Sequence, residues 1–479
     1  MAKTFVKNQP AINVTMVGFG QAGTRIVDRF AEIKKEDGKP VYNCLALNSN
    51  DGDLSGLKHI SANNRVSLEL GGLGKNPEEA INILEKNDKA KDKLKRFIQE
   101  RIRPTDDLVM FFAGLGGGTG TSTIVKAIDE FYEYTNKPLI QAELNKLKEE
   151  IPLSEFKANP KKVLMEAAKR ARKNFIKIGV VVTIPTRADG PDALRQVNNF
   201  AQKIWETAKN PNKGIAFVIF ADNQKFYDEF KQLAENEREG IDNYRDYANK
   251  KIVEIFHELN TATTGGGTSV TFDSADFRRI ILEHTGSLVI NKISKPSNMI
   301  KNGHDVKEML IESVESSSLH QPIQLVDEET STVAKVHHIG LLGVLDQSNK
   351  IGSSFIDEAR EEVIEKLPLN GTVFTGYLEE KNDYSVSVYT FYKVEALPER
   401  LAKGLVKEYE EFMARKNSIS FKSAGIEKIE INDEEDEFDL DLSEFGLDSL
   451  TDENNTQKQD DEEDDFDISN LDLSILDEN

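Results

Sequence analysis

Two glycine-rich segments carry the clearest chemical signal in this sequence. Residues 18–23 read GFGQAG and follow the apolar run 12–17, while residues 114–123 read GLGGGTGTST and follow the apolar run 108–112. Glycines between a strand and a helix let backbone N–H groups approach phosphate oxygens at the positive end of the helix. The second segment lacks the Gly-Lys-Ser/Thr ending of a P-loop. We therefore predict a polyphosphate site of another kind.

The first segment alone also fits the G-x-G-x-x-G pattern of dinucleotide-binding folds. Such a site needs an acidic residue at the end of the second strand, where it binds the ribose. The corresponding run here ends in Asn48, followed by Ser49 and Asn50. An NAD-dependent oxidoreductase therefore remains a weak alternative, and a tight turn without a ligand is the simplest one.

The elements around these segments alternate between strand and helix patterns. Short, continuously apolar runs occur at 12–17, 41–47, 108–112, 178–183 and 215–220. Such runs predict a parallel sheet covered on both faces by helices. Residues 139–177 are rich in lysine and glutamate with helical spacing, which predicts an inserted helical segment. The fold class is thus α/β in the first half.

The second half of the chain has a different pattern of apolar residues. A helix is predicted over 242–259, followed by alternating strands such as SLVINKIS, HHIGLLGVL and YSVSVYTFYKV and by one helical pattern near 353–366. We expect domains at 1–240 (parallel sheet) and 265–396 (α+β), with a central helix at 241–264 between them. A long amphipathic helix at 397–425 follows, because Leu401, Leu405, Tyr409 and Phe412 share one face.

Charge separates the last segment from the rest. Residues 427–479 contain 23 acidic residues and 2 lysines, which accounts for 21 of the 22 net negative charges. We expect residues 426–479 to be a disordered acidic tail that repels DNA and attracts an electropositive adaptor protein. Within it, the segments FDLDLSEFGLDSL and FDISNLDLSILDE are similar in sequence. They are either a duplicated docking motif or plain linker.

Other features restrict the chemistry further. Cys44 is the only cysteine, so disulfides and cysteine-based zinc sites are excluded, and it is expected to be a small core residue. The seven histidines are scattered, and we expect no structural metal. No apolar run reaches the roughly 18–20 residues that span a bilayer, so we expect a cytoplasmic protein without a membrane partner.

With these elements in place, AGLGGGTGTST (113–123) resembles the signature loop of the tubulin/FtsZ superfamily, which holds the phosphates of GTP. Further segments resemble family loops in the family order: GFGQAGTR (18–25), ALNSNDGDL (46–54), GGLGKNPEEA (71–80), VVVTIPTRADGPDALR (180–195) and FADNQKF (220–226). Asn50 stands where the family usually has Asp, Asp189 replaces a ribose-binding Glu, and the arginine is displaced to Arg195.

The resemblance covers about residues 12–425 and implies GTP or GDP with Mg²⁺ as ligands. The nucleotide-binding residues it assigns are Gly18, Gly20, Gln21, Ala22, Gly23, Thr24, Asn48, Gly74, Asn76, Gly114, Gly116, Gly117, Gly118, Thr119, Gly120, Thr121, Thr183, Pro185, Asp189, Arg195, Asn223, Tyr244 and Asn249. Tyr244 is expected to stack on guanine and Asn249 to pair with its edge.

The resemblance also assigns the catalytic residues. VTFDSADFR (270–278) resembles the family segment that reaches the γ-phosphate held by the next subunit, which makes Asp273 and Asp276 the catalytic acids. An N-cap with a solvated acid is the alternative for these two residues. The site would then exist only at a longitudinal contact of a homopolymer with head-to-tail protofilaments.

Within the superfamily, the long terminal helix and acidic tail resemble those of TubZ and phage tubulins, whose filaments move plasmid or phage DNA. We therefore favour a DNA-segregating GTPase filament over a cell-division ring protein. A relative that binds GTP without polymerising, as a switched binding module, is a further alternative.

Overall fold

The computed structural model describes residues 9–152, 156, 159–262, 270–326, 331–380 and 384–418. The acidic tail predicted at 426–479 and its two similar segments lie outside these residues, as does the end of the predicted terminal helix. One compact unit extends to Ala414. Among the described helices, none is long and apolar enough to cross a membrane.

Ten strands form one mixed sheet. In chain order they are β1 (Val14–Phe19), β2 (Asn43–Asn48), β3 (Arg65–Ser67), β4 (Leu108–Gly114), β5 (Lys177–Ile184), β6 (Ile215–Asp222), β7 (Ser287–Pro296), β8 (Val336–Asp346), β9 (Val373–Glu380) and β10 (Ser385–Val394). β1, β2, β4, β5 and β6 are almost entirely buried, as their continuous apolar runs predict, whereas the short edge strand β3 is half-buried and was not predicted. The α/β fold class is confirmed.

The strand order is β3-β2-β1-β4-β5-β6-β7-β10-β8-β9. The first six strands in this order are parallel to their neighbours. From β1 the chain winds outward through β2 and β3 and then returns to the other side of β1 with β4. The order therefore reverses between β1 and β4, and ligands of open α/β sheets bind at the carboxyl ends of the strands at such a point.

The helices cover both faces of this sheet. In the first half they are α1 (Gly20–Glu32), α2 (Asp51–Ser55), α3 (Pro77–Lys86), α4 (Asp88–Arg101), α5 (Gly118–Phe131), α6 (Lys137–Glu150), α7 (Pro160–Ala171), α8 (Pro191–Lys209) and α9 (Asn223–Gln232). Later in the chain they are α10 (Tyr244–Ala262), α11 (Ser274–Leu282), α12 (Gly303–Val314), α13 (Ser354–Lys366) and α14 (Leu405–Ser418). Helices α6 and α7 lie in the segment where a helical insertion is predicted, at 139–177.

The predicted central helix is confirmed as α10. Its second half, from Ile252 onward, is buried nearly all round, which is typical of a helix inside a core. One hydrophobic cluster joins Ile26 of α1, Phe256 of α10 and Phe391 of β10. The helix therefore packs against both halves of the chain.

The second half continues the sheet of the first. β7 is hydrogen-bonded to β10 and β10 to β8, both antiparallel, and β6 meets β7 through the pair Val218 and Ser287. The change in sequence pattern after the central helix thus corresponds to a change from parallel to mainly antiparallel strands. The domain boundaries themselves stay a prediction, since one sheet runs through both halves.

The terminal helix begins slightly later than predicted. Pro398 pairs with Ile323 in an isolated bridge, and a π-helical turn spans Arg400–Gly404 before α14. Three residues of the predicted apolar face, Leu401, Leu405 and Phe412, pack on the same cluster as β5 and β6, whereas Tyr409 is half-buried outside that cluster. Cys44 is buried, as expected, and burial raises the pKa of its thiol.

Two buried histidines predict an acid-sensitive fold. Burial lowers the pKa of His257 and of His320 to about 4 each, from the usual value of about 6.5. Between these pH values the two histidines bind protons in the unfolded chain but not in the folded chain. The free energy of unfolding therefore falls as the pH drops from about 6.5 to 4. Each histidine contributes about 3 kcal/mol to this loss.

The measurement is thermal unfolding between pH 7 and pH 4.5. We expect His257→Gln to flatten the decline of the melting temperature. The same change at the exposed His304 should leave the decline as it is in the unsubstituted chain. Identical pH profiles for all three proteins would contradict the prediction.

Candidate functional site

The two glycine segments meet at the carboxyl ends of β1 and β4. Helix α1 begins at Gly20 and helix α5 at Gly118. A Cβ atom on Gly20 would lie 2.6 Å from the backbone nitrogen of Gly120, so the first turns of the two helices are in contact. Neither first turn is capped by a side chain. Two positive helix ends therefore converge at one place, which favours binding of an anion there.

The glycines of the site fall into two groups. Added Cβ atoms on Gly18, Gly23 and Gly118 would come within 2.5, 2.0 and 2.6 Å of backbone oxygens. On Gly114 the added atom would lie 2.8 Å from the Cβ of Ala22. These glycines are required because other parts of the chain pack directly against them.

The second group borders open space. A Cβ atom on Gly117 or on Gly74 would have no neighbour within 4 Å, and on Gly116 its nearest neighbour would be Pro185, at 3.7 Å. This space lies beside the start of α5. A methyl-sized group at Gly117 or Gly116 would enter this space without displacing protein atoms.

The threonine hydroxyl groups of the two segments also fall into two groups, those that are buried within their own turns and one that is partly exposed. Thr121 donates to the carbonyl oxygens of Leu115 and Gly114, at 3.1 and 3.3 Å, and Thr24 of the first segment donates to the carbonyl of Gly20, at 2.8 Å. Both threonines are fully buried and stabilise their own turns. Thr119 is partly exposed and donates to the hydroxyl oxygen of Ser49, at 2.9 Å.

The loop after β2 adds residues that the sequence did not single out. Asp53 accepts from the side-chain amides of Asn48, at 3.0 Å, and Gln21, at 3.5 Å. Ser49 is almost fully buried beside Thr119. Asn50 caps α2 by accepting from the N–H of Asp53. Asp53 and Ser49 therefore join the predicted residues Asn48 and Gln21 in one hydrogen-bonded group.

The loop that contains Gly74 and Asn76 lies against the start of α5. The N–H of Gly118 donates to the carbonyl of Gly74, at 2.9 Å, and Asn76 caps α3 by accepting from the N–H of Glu79, at 3.3 Å. The Nζ of Lys75 is 3.7 Å from the carboxylate of Asp189. This loop thus connects the phosphate side of the site to the loop after β5.

Four predicted residues lie in or beside the loop after β5: Thr183 near the end of β5, Pro185 and Asp189 in the loop, and Arg195 on α8. The carbonyl of Thr183 accepts from the N–H of Leu115, at 3.0 Å, so this loop borders the glycine segment. Asp189 accepts from the N–H and the hydroxyl of Thr186, at 3.0 and 2.9 Å. Arg195 lies apart from these contacts, on α8, with its guanidinium 4.0 Å from Glu78 of α3.

The remaining predicted nucleotide contacts lie on α9 and α10. Asn223 is the first residue of α9, which Asp222 caps by accepting from the N–H of Gln224, at 2.9 Å. Burial raises the pKa of Tyr244, while the charge of Arg245 and a hydrogen bond with Thr186 oppose the shift. Tyr244 therefore lies beside the loop after β5. Asn249 is half-buried one helical turn further along α10.

The two predicted catalytic acids are at the start of α11, where they form a capping box. Asp273 accepts from the N–H of Asp276, at 2.9 Å, and Asp276 accepts from the N–H of Asp273, at 3.5 Å. Burial and the neighbouring charge of Asp273 raise the pKa of Asp276. The N-cap alternative thus describes a contact that these residues do make. Asp273 is nevertheless exposed, and only one of its two carboxylate oxygens accepts the capping hydrogen bond.

These acids lie far from the glycine segments of the same chain. Arg278 of α11 forms two hydrogen bonds with Asp107, at 2.7 and 2.8 Å, and Asp107 directly precedes β4. The glycine segment follows the other end of that strand. The 7 residues of β4 span about 20 Å at about 3.3 Å per residue. The acids and the phosphate loops are therefore at opposite ends of the sheet.

One group of possible metal ligands lies elsewhere. Glu283, His284 and His338 have ligand atoms within 4.8 Å of one another. The Nδ1 atom of His338 accepts from the N–H of Thr372, at 2.9 Å, and its Nε2 atom is 3.2 Å from a Glu283 oxygen. A neutral ring that accepts at Nδ1 carries its proton at Nε2, so His338 offers no nitrogen lone pair to a cation in this arrangement.

Comparison with known proteins links this geometry to one group. Residues 13–144 match the family described as Tubulin/FtsZ family, GTPase domain. The tubulin-like protein TubZ of Bacillus cereus is 24% identical over 313 residues, which are 63% of this chain and 60% of that protein. The tubulin-like protein CetZ1 of Haloferax volcanii is 33% identical over 116 residues, 23% of this chain and 29% of that protein.

Solved structures agree on the fold. A GTPγS-form protofilament of TubZ from Bacillus thuringiensis serovar israelensis superposes with a TM-score of 0.63 at 17% identity, covering 87% of this chain and 94% of that one. The GDP-bound monomer of CetZ1 from Haloferax volcanii gives 0.54 at 16% identity, over 85% of this chain and 100% of that one.

Proposed function

We propose that the chain is a GTPase of the tubulin/FtsZ family whose subunits assemble head to tail into filaments, because residues 13–144 match the GTPase domain of that family. One observation carries the proposal: the acids at the start of α11 and the glycine segments are at opposite ends of β4. Within one subunit these groups cannot reach the same phosphate. When a second copy adds along this axis, its acids come to the first copy's phosphate loops, which completes one hydrolytic site per contact.

Each part of the site then has a chemical role. The N–H groups at the starts of α1 and α5, with the hydroxyl of Thr119, bind phosphate oxygens and stabilise the charge that develops during transfer. Asp276 and Asp273 of the adjoining subunit accept hydrogen bonds from water and orient it in line with the γ-phosphorus. The water oxygen bonds to phosphorus as the bond to the bridging oxygen breaks, and GDP leaves with that electron pair.

The guanosine end of the nucleotide is proposed to lie along the loops after β5 and β6. Thr183, Pro185 and Asp189 border the ribose, and Asn223, Tyr244 and Asn249 surround the base. Arg195 pairs with Glu78 at a distance of 4.0 Å, so we give it the weakest role of this set. The absence of an acid at the end of β2 disfavours NAD, since Asn48 ends that strand.

Mg²⁺ fits the same site by the chemistry of its donors. The carboxylate of Asp53 and the hydroxyls of Ser49 and Thr119 supply oxygen atoms of the kind that Mg²⁺ prefers. Bound there, the ion would neutralise charge on the β- and γ-phosphates. Asp53 also receives hydrogen bonds from Asn48 and Gln21, which fix the direction of its carboxylate.

We further propose that the filament moves plasmid or phage DNA in the cytoplasm. The support is likeness to TubZ proteins, one of which is described as a type III plasmid segregation protein. The matched segment spans 60% of the length of the first TubZ relatives, so this role remains a proposal for the whole chain. An adaptor that binds the acidic tail would connect the filament to its cargo, and a division-ring role is the alternative.

The direct test is sedimentation of the purified chain with GTP, a non-hydrolysable GTP analogue, GDP or NAD. We expect polymer with GTP and the analogue, a threshold concentration below which turnover per subunit nearly vanishes, and filaments in electron micrographs. Turnover that stays constant per subunit at all concentrations would instead indicate a GTP-switched binding module. Tight NAD binding without sedimentation would favour an oxidoreductase.

A further inference from the structure

Arg400 has a buried guanidinium group at the start of the C-terminal helical region. Its side chain is 5% exposed, and that of its partner Asp222 is 1% exposed. A charge removed from water in this way is tolerated only when its hydrogen bonds are made within the protein. The contacts of Arg400 therefore show which parts of the chain it holds together.

Those contacts reach three separate elements. The Nη1 atom donates to the carboxylate of Asp222, at 2.6 Å, and to the carbonyl of Pro185, at 2.8 Å. The Nε and Nη2 atoms donate to the two carboxylate oxygens of Glu408 on α14, each at 3.0 Å. The planar guanidinium thus connects α14 to the loop after β5 and to the end of β6.

Both of these segments belong to the proposed ribose and base side of the nucleotide site. Pro185 lies between Thr183 and Asp189, and Asp222 caps α9 immediately before Asn223. A second contact strengthens the same connection, because Arg187 of the β5 loop donates from Nε to Glu408, at 3.0 Å. Its backbone N–H also donates to the side chain of Gln224 on α9, at 3.0 Å.

We propose that Arg400 is a positioning residue of the nucleotide site, which reaches its binding geometry only when α14 is docked through Glu408. Arg400 acts on the nucleotide through the backbone of Pro185 and the cap of α9, because four of its five N–H donors already bind protein oxygens. This inference rests on the proposed function, because it concerns the same guanine-nucleotide site. It makes the terminal helix part of nucleotide binding.

The proposal separates the two ends of the nucleotide. The segments held by Arg400 border the ribose and base, whereas the phosphates are bound at the starts of α1 and α5. Loosening the Arg400 contacts should therefore weaken GTP and GDP binding by the same factor. A residue needed only for folding stability would lower the melting temperature without this effect on affinity.

The experiment uses the full chain below its assembly threshold and measures the affinity for fluorescent GTP and GDP analogues. Arg400→Lys keeps the positive charge but cannot bridge Pro185, Asp222 and Glu408 at once. We expect it to bind both nucleotides about tenfold more weakly. Glu408→Gln keeps the shape of the side chain and should weaken both by about threefold.

The control is a partly buried ion pair of the same chain, in which the side chain of Lys292 is 30% exposed and that of Glu258 is 7% exposed. Lys292 donates to Glu258 at 2.8 and 2.7 Å, away from the loops after β5 and β6. We expect Lys292→Gln to lower the melting temperature and leave both affinities unchanged. If Arg400→Lys and Glu408→Gln lower the melting temperature but keep the affinities of the unsubstituted chain, the proposal is wrong.

Two further outcomes are also decisive. A loss confined to GTP, with GDP affinity intact, would mean that Arg400 acts on the phosphate side and would contradict the proposal. Should Arg400→Lys fail to fold, Glu408→Gln alone decides by the same criterion. An unsubstituted chain that binds neither nucleotide would refute the proposed function itself, which is a different result from unchanged affinities in the variants.

Discussion

Asp276→Asn is expected to lower GTP turnover by about 100-fold or more, while GTP affinity and sedimentation with GTP are preserved. Asparagine keeps the size of the side chain but removes the charge that orients water. Asp276 lies at the amino end of β4, away from the phosphate loops of its own subunit, so nucleotide binding should not sense the change. Phosphate release and nucleotide affinity, measured on the same preparation, check both halves of the prediction.

Asp273→Asn should have a similar effect on turnover without unfolding the helix. Asp273 caps α11, and asparagine is an equally good N-cap residue. The control for both variants is Asp305→Asn on α12, where Asp305 occupies the capping-box position of Asp276 and Asn302, already an asparagine, occupies that of Asp273. Normal turnover for Asp305→Asn and for the two α11 variants alike would show that the α11 acids have only a capping role.

Mixing two inactive variants tests whether the site is shared. One partner is Asp276→Asn, and the other is Gly117→Asp, whose carboxylate would enter the open space beside α5 and repel phosphate. In a random head-to-tail polymer, about a quarter of the contacts join an intact loop to an intact acid pair. Turnover should therefore recover to a measurable fraction on mixing. A strictly additive, inactive mixture would contradict a site formed by two subunits.

The first half of the fold could be predicted from the sequence because its strands are buried on both faces. A buried parallel strand is apolar at every position, and the runs at 108–112 and 215–220 correspond to β4 and β6. The glycine segments then fall at the carboxyl ends of β1 and β4. The second half is less regular, and β9 (Val373–Glu380) and α12 (Gly303–Val314) were not predicted.

What the sequence could not show depends on contacts between distant residues. Arg400 is 215 residues from Pro185 and 178 from Asp222, and no local pattern indicates that these three meet. The role of Asp53 likewise depends on Gln21, which is 32 residues away in the chain. Loop composition identifies a candidate ligand site, whereas the side chains that hold its loops in place become apparent only in the folded chain.

Contacts between distant residues, which the sequence does not show, also distinguish two neighbouring glycines. This difference provides a test of the phosphate site. In the sequence, Gly117 and Gly118 are equivalent members of one run. In the fold, a Cβ on Gly118 would lie 2.6 Å from the carbonyl oxygen of Leu73 and 2.7 Å from that of Gly74, while a Cβ on Gly117 would meet nothing within 4 Å. One glycine is required by protein packing and the other borders the proposed ligand space.

Gly117→Ala is therefore expected to leave the melting temperature of the nucleotide-free chain unchanged and to weaken GTP binding about tenfold or more. The added methyl group projects toward the space where backbone N–H groups would bind the phosphates, and glycine permits the closest approach there. Its backbone is extended, with φ −116° and ψ 150°, so alanine fits without strain. Thermal unfolding without nucleotide and GTP titration are the two measurements.

Gly118→Ala should lower both the melting temperature and the affinity, because the loop at Leu73 and Gly74 must move to admit the methyl group. Gly352→Ala, in open space on the exposed surface of the second half, should change neither. The three variants are compared together. Gly117→Ala can keep the melting temperature and still lose GTP affinity only if the bound phosphates occupy the space beside α5. Full GTP affinity in Gly117→Ala would place the phosphates elsewhere.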